Sequence, residues 1–240
     1  MKRGSARIAR QGLLALLMAQ AAPASGHELW LEPVDGDLAL QRGHRDGGHQ
    51  GDKRVTYEPS LVKAVRCWKP AEGARSVDFE AEWPVRVPGN CAALLVRTGS
   101  GFWTQTASGL RNIPATEAGE PLEAWRSVES LKRLSTAGRL PDGPISEGLE
   151  LVPETDPRTL SVGEKWTLRL YFRGEPLGGA EVTNDGRVVG VTRKNGAINV
   201  RLRQAGAQRF GAAHAVPFDG PEAERTEYRT VLTFTAGAGE

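Results

Sequence analysis

Histidine carries most of the chemistry that this sequence can offer, and it does so at four positions, His27, His44, His49 and His214. Two of them share one loop, Gly43-His44-Arg45-Asp46-Gly47-Gly48-His49-Gln50-Gly51-Asp52. Glycines at 43, 47, 48 and 51 let that backbone bend tightly and bring both imidazoles to one side. Imidazole nitrogens suit nickel, cobalt, copper and zinc, and Asp46 or Asp52 would add an oxygen donor. His214 closes the run Phe210-Gly211-Ala212-Ala213-His214 and is a further candidate donor if the two halves of the chain face each other. The plainer alternatives are a solvated loop with two incidental histidines and a strand-end histidine on the surface.

His27 draws its interest from what precedes it. Lys2, Arg3, Arg7 and Arg10 make a positive segment, Gly12 to Met18 a short apolar one, and Ala24-Ser25-Gly26 places small residues where signal peptidase requires them. Residues 1–26 are thus expected to be a secretory signal, and the protein to be exported to the periplasm. Cleavage after Gly26 would leave a free α-amine beside the His27 imidazole, a pair able to chelate one metal ion. Cleavage after Ala22 or Ala24 would leave His27 an ordinary residue near a frayed end. The expected metal site is therefore His27, His44 and His49, with Asp46 and His214 as further candidates.

Composition narrows the class. The chain has 31 Lys and Arg against 29 Asp and Glu. Four of the basic residues fall in the expected signal, so the remainder is near neutral and carries no basic stripe of the kind that binds nucleic acid. No apolar run after the signal approaches the roughly 18 residues of a spanning helix. Cys67 and Cys91 are an even pair in a chain expected to meet an oxidising compartment, where a bridge is favoured over free thiols or a thiolate metal site. There is no GxSxG elbow, HExxH or Gly-rich phosphate loop, so no enzymatic role is expected.

These residues must be positioned by strands. Short alternating runs separated by Gly, Pro, Asn and Asp predict a mainly β protein. The expected strands in the first half are 29–34, 37–41, 62–68, 77–83, 92–97 and 102–106. In Pro121 to Thr136, Leu122, Trp125, Val128, Leu131 and Leu134 recur every three residues and predict one helix, ended by Gly138 and Pro141. Pro153 to Pro157 reads as a linker, and strands return at 166–172, 180–183, 188–192, 198–202, 208–213 and 230–235. Asn184-Asp185-Gly186 and Lys194-Asn195-Gly196 are strong turn signals. The expected architecture is a two-domain β-sandwich, residues 27–152 with the helix inserted after the first-domain strands, then 158–237 as an immunoglobulin- or transthyretin-like sandwich. Trp30, Trp68, Trp83, Trp125 and Trp166 are expected in the core.

Several stretches together resemble one family. They are His27-Glu28-Leu29-Trp30-Leu31-Glu32-Pro33, Gly43-His44 through His49-Gln50-Gly51, and Tyr57-Glu58-Pro59 with Val62-Lys63 and Cys67. Gly101-Phe102-Trp103-Thr104 with Asn112-Ile113-Pro114 continues the likeness. So do Trp125-Arg126-Ser127 with Glu129-Ser130-Leu131-Lys132-Arg133, Gly148-Leu149-Glu150-Leu151-Val152-Pro153 and Gly174 to Ala180. The chain resembles exported bacterial proteins classed as a domain of unknown function or as periplasmic components associated with nickel and cobalt transport. The resemblance implies a metal ion as cargo, a membrane permease of an uptake system as partner, and His27, His44 and His49 as ligands. Two other classes remain open: a non-metal β-sandwich interaction module of the cell envelope, and a copper enzyme built on an N-terminal histidine.

Overall fold

The computed structural model describes residues 28–44, 54–136 and 138–237. The expected signal, His27, Asp46 and His49 lie outside them. The strands are β1 (Glu28–Val34), β2 (Asp37–Gly43), β3 (Val62–Lys69), β4 (Gly73–Val77), β5 (Arg86–Val87), β6 (Ala93–Thr106), β7 (Gly109–Arg111) and β8 (Glu123–Leu134) in the first half. They continue as β9 (Leu149–Pro153), β10 (Lys165–Phe172), β11 (Glu175–Pro176), β12 (Glu181–Asn184), β13 (Arg187–Val191), β14 (Ala197–Arg201), β15 (Gly206–Pro217) and β16 (Arg225–Ala236). The protein is mainly β, as expected, and no helix among the described residues is long and apolar enough to cross a membrane.

Three open sheets are stacked. The largest has the order β13-β12-β15-β16-β8-β6-β3-β4, with β7 paired to β6. A four-stranded sheet of β11, β10, β14 and β9 covers one of its faces, and the small sheet β1-β2-β5 covers part of the other. Strand β6 shows why the layers stack. Ala93, Leu94, Leu95 and Val96 are all buried, and side chains alternate across a strand. Ala93 and Leu95 therefore join Trp166, Leu168, Leu170 and Phe210 in one core. Leu94 and Val96 join Leu38, Leu40, Val65 and Leu131 in the second. Both chain halves contribute to the large sheet, because β8 and β16 pair in parallel from Trp125 and Arg225 to Arg133 and Thr233.

The expected helix is not formed: Glu123–Leu134 is the twelve-residue strand β8. Its period of three is an accident of a strand buried on both sides. Ala124, Ser130, Lys132 and Leu134 fall on one face, and Ser127 and Leu131 on the other. Leu122, expected at the helix's buried face, is 67% exposed, whereas Lys132 is 0% exposed. Neighbours β6 and β16 on both sides decide the conformation, and local propensity yields to them. Elsewhere the two runs expected at 92–97 and 102–106 merge into β6, with an irregularity between Thr98 and Gly101. The run expected at 77–83 is a strand only up to Val77, and Trp83 is exposed rather than in the core.

Turn chemistry follows the sequence closely. Asp185 and Gly186, at φ 46° and 76°, connect β12 to β13 as a two-residue turn whose twist suits a hairpin. Asp35 and Gly36, at φ 52° and 86°, do the same between β1 and β2. The expected linker begins as the end of β9, which pairs with β10. After it, the Asp156 carboxylate caps the turn Pro157–Thr159 by accepting from the Arg158 N–H.

The deepest polar feature joins two layers. Lys132 Nζ of β8 donates to Glu150 Oε1 of β9 at 2.6 Å, with both side chains 0% exposed. The Glu150 carboxylate also accepts from the Ile145 N–H, the Ser146 N–H and the Ser146 hydroxyl at 2.7–3.1 Å. The chain between β8 and β9 is thus pinned to the core. Arg158 holds the start of the same crossover, donating to the carbonyls of Ser135 and Gly138 at 2.6 Å. Cys67 and Cys91 are bridged, with Cα atoms 5.4 Å apart, inside the core beneath the small sheet.

Replacing both cysteines by alanine should lower stability by about 3 kcal/mol, or roughly 6–12 °C in a thermal melt, because the loop they close is released in the unfolded chain. An unchanged melting temperature would show that the bridge adds nothing. For the buried pair, Glu150→Leu should cost about 3–5 kcal/mol, since it strands an ammonium and frees Ile145 and Ser146. Lys132→Met should cost less, because three donors still serve the remaining carboxylate. Urea denaturation of both variants tests that order.

Candidate functional site

The hairpin β1–β2 organises the site. Its register runs from Val34 opposite Asp37 at the turn to Glu28 opposite Gly43 at the open end. Alternation turns Leu29 and Leu31 of β1, and Leu38 and Leu40 of β2, toward the large sheet, where they pack in the second core. Beyond them the strands become polar, with Arg42 half-buried. Gly43, at φ 147°, ends β2, and His44 follows it, also half-buried.

Chain segments meet at that open end. Arg54 pairs with Gly43 in a single bridge, and the Val55 N–H donates to the Arg42 carbonyl at 2.7 Å. Arg54 also reaches back to Glu32 at 2.8 Å. The glycine-rich loop therefore starts at His44 and returns at Arg54, on the edge of the hairpin end from which Glu28 begins β1. An ion pair between Glu28 and Arg209 of β15 fastens this end down onto the large sheet.

Beneath the hairpin end lies Glu129 of β8, on the face that carries Leu131. Burial pushes its carboxyl above the ordinary range. The charges of Arg229, Arg42 and Arg209 and the Ser127 hydroxyl pull it part of the way back. Arg229 itself lies 3.4 Å from Glu227, and Arg209 is taken by Glu28. Sequence reasoning missed Glu129 because it read this stretch as a helix, in which nothing singled out that residue. A period of two groups it with Ser127 and Leu131, which is the signal that would have found it.

His214 stands elsewhere. It is the register partner of Tyr228 on β16, and its ring meets Phe172 edge-on at 4.8 Å between centroids. Phe172 and Tyr228 both pack against the first core, on the side of the large sheet away from the hairpin. Burial lowers the His214 pKa, favouring the neutral imidazole. An open groove of about 680 Å³ runs past it, lined also by Gly179, Thr183, Gly211 and Arg229. Of the sequence-predicted donors, only His44 and His214 are described, and they are not brought together. Among the described residues no three His, Cys, Asp or Glu side chains are grouped to hold a metal ion.

No curated protein and no solved structure matches this chain. Its residues 24–216, the greater part of its length, match the family model described as a domain of unknown function, DUF4198, and the protein belongs to that family.

Proposed function

We propose that the protein is a periplasmic binder of a divalent transition-metal ion, nickel or cobalt first, that accompanies a metal uptake system and hands its cargo to a membrane permease. The supporting observation is the hairpin register. Glu28 faces Gly43, and Arg54 pairs with Gly43. His27 is covalently joined to Glu28, His44 to Gly43, and His49 belongs to the loop whose two ends meet there. By covalent connection, His27 and the loop that carries His44 and His49 are thus tethered to one end of one hairpin.

The donors suit the cargo. Cleavage after Gly26 gives His27 two nitrogens, an amine and an imidazole, and His44 and His49 add one each. Neutral nitrogens hold nickel, cobalt, copper or zinc without a net-negative cage, and Asp46 could supply an oxygen. His214 belongs to this reading only as an outlying donor. The affinity series favours copper whatever the physiological ion, so the cargo is set by what the uptake system supplies.

Mass spectrometry of the exported protein should give a chain starting at His27. Calorimetric titration with nickel, cobalt, copper and zinc should then show one site. Affinity should fall as pH drops through about 6.5, because imidazoles must be deprotonated to ligate. His44→Ala with His49→Ala should weaken binding at least tenfold. One residue retained ahead of His27 should do the same by removing the amine. Wild-type affinity in both variants would overturn the proposal.

A further inference from the structure

We infer that the cavity lined by Lys63, Arg97 and Arg126 binds a phosphate group, carried on a small soluble molecule or on a lipid head. The inference is independent of the metal-binding reading. The cavity measures about 550 Å³ and lies on the large sheet where β3, β6, β8 and β16 run side by side.

Strand register explains how it forms. Thr98 of β6 is opposite Val62 of β3 on one side and Glu129 of β8 on the other. Beyond Thr98 the pairing slips on both sides. Lys63 is the extra residue in β3, and Gly99 with Ser100 faces the single residue Val128. Such bulges bend a strand and re-aim its side chains. Lys63 is carried across β6, so that a β-carbon on Gly99 would lie 3.5 Å from its Cγ and Cε. Gly99 and Gly101 line the cavity without side chains to fill it. Alternation brings both arginines to the same face. Arg97 follows Leu95 by two residues, and Arg126 precedes Val128 by two, with Tyr228 opposite Val128. Leu95 and Tyr228 both belong with the first core. The covering sheet reaches this face at Ser130, which is opposite Arg97 and donates its hydroxyl to the Leu149 carbonyl.

Charge then decides what fits. Lys63, Arg97 and Arg126 are exposed, and none pairs with a carboxylate among the described residues. No residue lining the cavity is acidic. The cavity lined by Arg139 and Arg169 is different, because it also holds their partners Asp142 and Glu154. Three like charges around one recess repel each other and raise its potential, and an anion relieves both effects. Two guanidinium forks and an ammonium match the oxygens of a phosphate, which gathers its charge on one compact group. The recess is larger than a bare phosphate and falls in the size range of small-molecule sites. It therefore leaves room for whatever carries the phosphate.

Calorimetric titration of the full-length protein with inorganic phosphate, pyrophosphate and glycerol 3-phosphate tests the site. Binding should weaken as salt rises. Arg97→Ala with Arg126→Ala should cost about tenfold or more in affinity. The unliganded melting temperature should stay the same, because both side chains are exposed. Gly99→Glu, which sets a carboxylate beside Lys63, should block binding. Arg187→Ala with Lys194→Ala removes two exposed cations elsewhere and should leave it unchanged. Vesicles of phosphatidylcholine with and without phosphatidic acid separate the sources. If glycerol 3-phosphate binds, the ligand is a soluble ester; if only the vesicles with phosphatidic acid are captured, it is a lipid head. No binding of any probe, equal loss in both double variants, or equal affinity for succinate would overturn the site.

Discussion

A lysine and a glutamate removed wholly from water set the terms on which two layers of this protein can meet. Lys132 and Glu150 are on different strands of different sheets. Either charge left alone in that core would cost several kcal/mol, so β8 and β9 can pack only where the two find each other. The same arrangement brings the Ser130 hydroxyl to the Leu149 carbonyl at 2.8 Å and folds Ile145 and Ser146 onto the carboxylate. Around it the first core is otherwise apolar, from Leu95 to Phe234. Hydrophobic burial supplies most of the attraction between the sheets, but it is nearly indifferent to sliding. The ion pair is not.

Strand β8 then presents a second polar feature on its other face. With Lys132 anchored in one core and Leu131 in the other, alternation sends Glu129 to the hairpin side. The hairpin is itself anchored by Leu29, Leu31, Leu38 and Leu40, so its apolar length determines where its polar end falls. That end, with Arg42 on it, comes near Glu129, and Glu28 pairs with Arg209 there. The place of the hairpin's polar end against the large sheet follows from two packing decisions, neither of which involves a ligand.

Much of this was legible in the sequence, and the failures have a common cause. Asn184-Asp185-Gly186 announced its turn, because positive φ at successive residues needs those residue types. Cys67 and Cys91 announced their bridge. The β class followed from alternation along β3, β10 and β14, each of which is flanked by turns. Alternation is a signal only for strands with one wet face, however. Strand β8 is covered on both faces and shows instead a mixed pattern that fits a helix equally well. Glu129 was lost with it. His44 was legible as a candidate from its neighbours in sequence, whereas the proximity of the hairpin to β8 depends on packing between sheets, which no local pattern encodes.

The parallel pairing of β8 with β16 has a consequence for how the chain comes together. Trp125 waits for Arg225, a partner at the far end of the sequence, while its other neighbour, Trp103, is nearby. Until the last strand is made, the middle of the largest sheet is an open edge, with a row of unmatched amides and carbonyls beside Leu131 and Val128. Such edges recruit whatever strand arrives first, and closing so long a loop is slow. The nascent protein therefore spends its most vulnerable interval with its centre unfinished rather than its ends. A chain cut short before Arg225 would be a different kind of object altogether: a template for self-association in place of a smaller version of the fold.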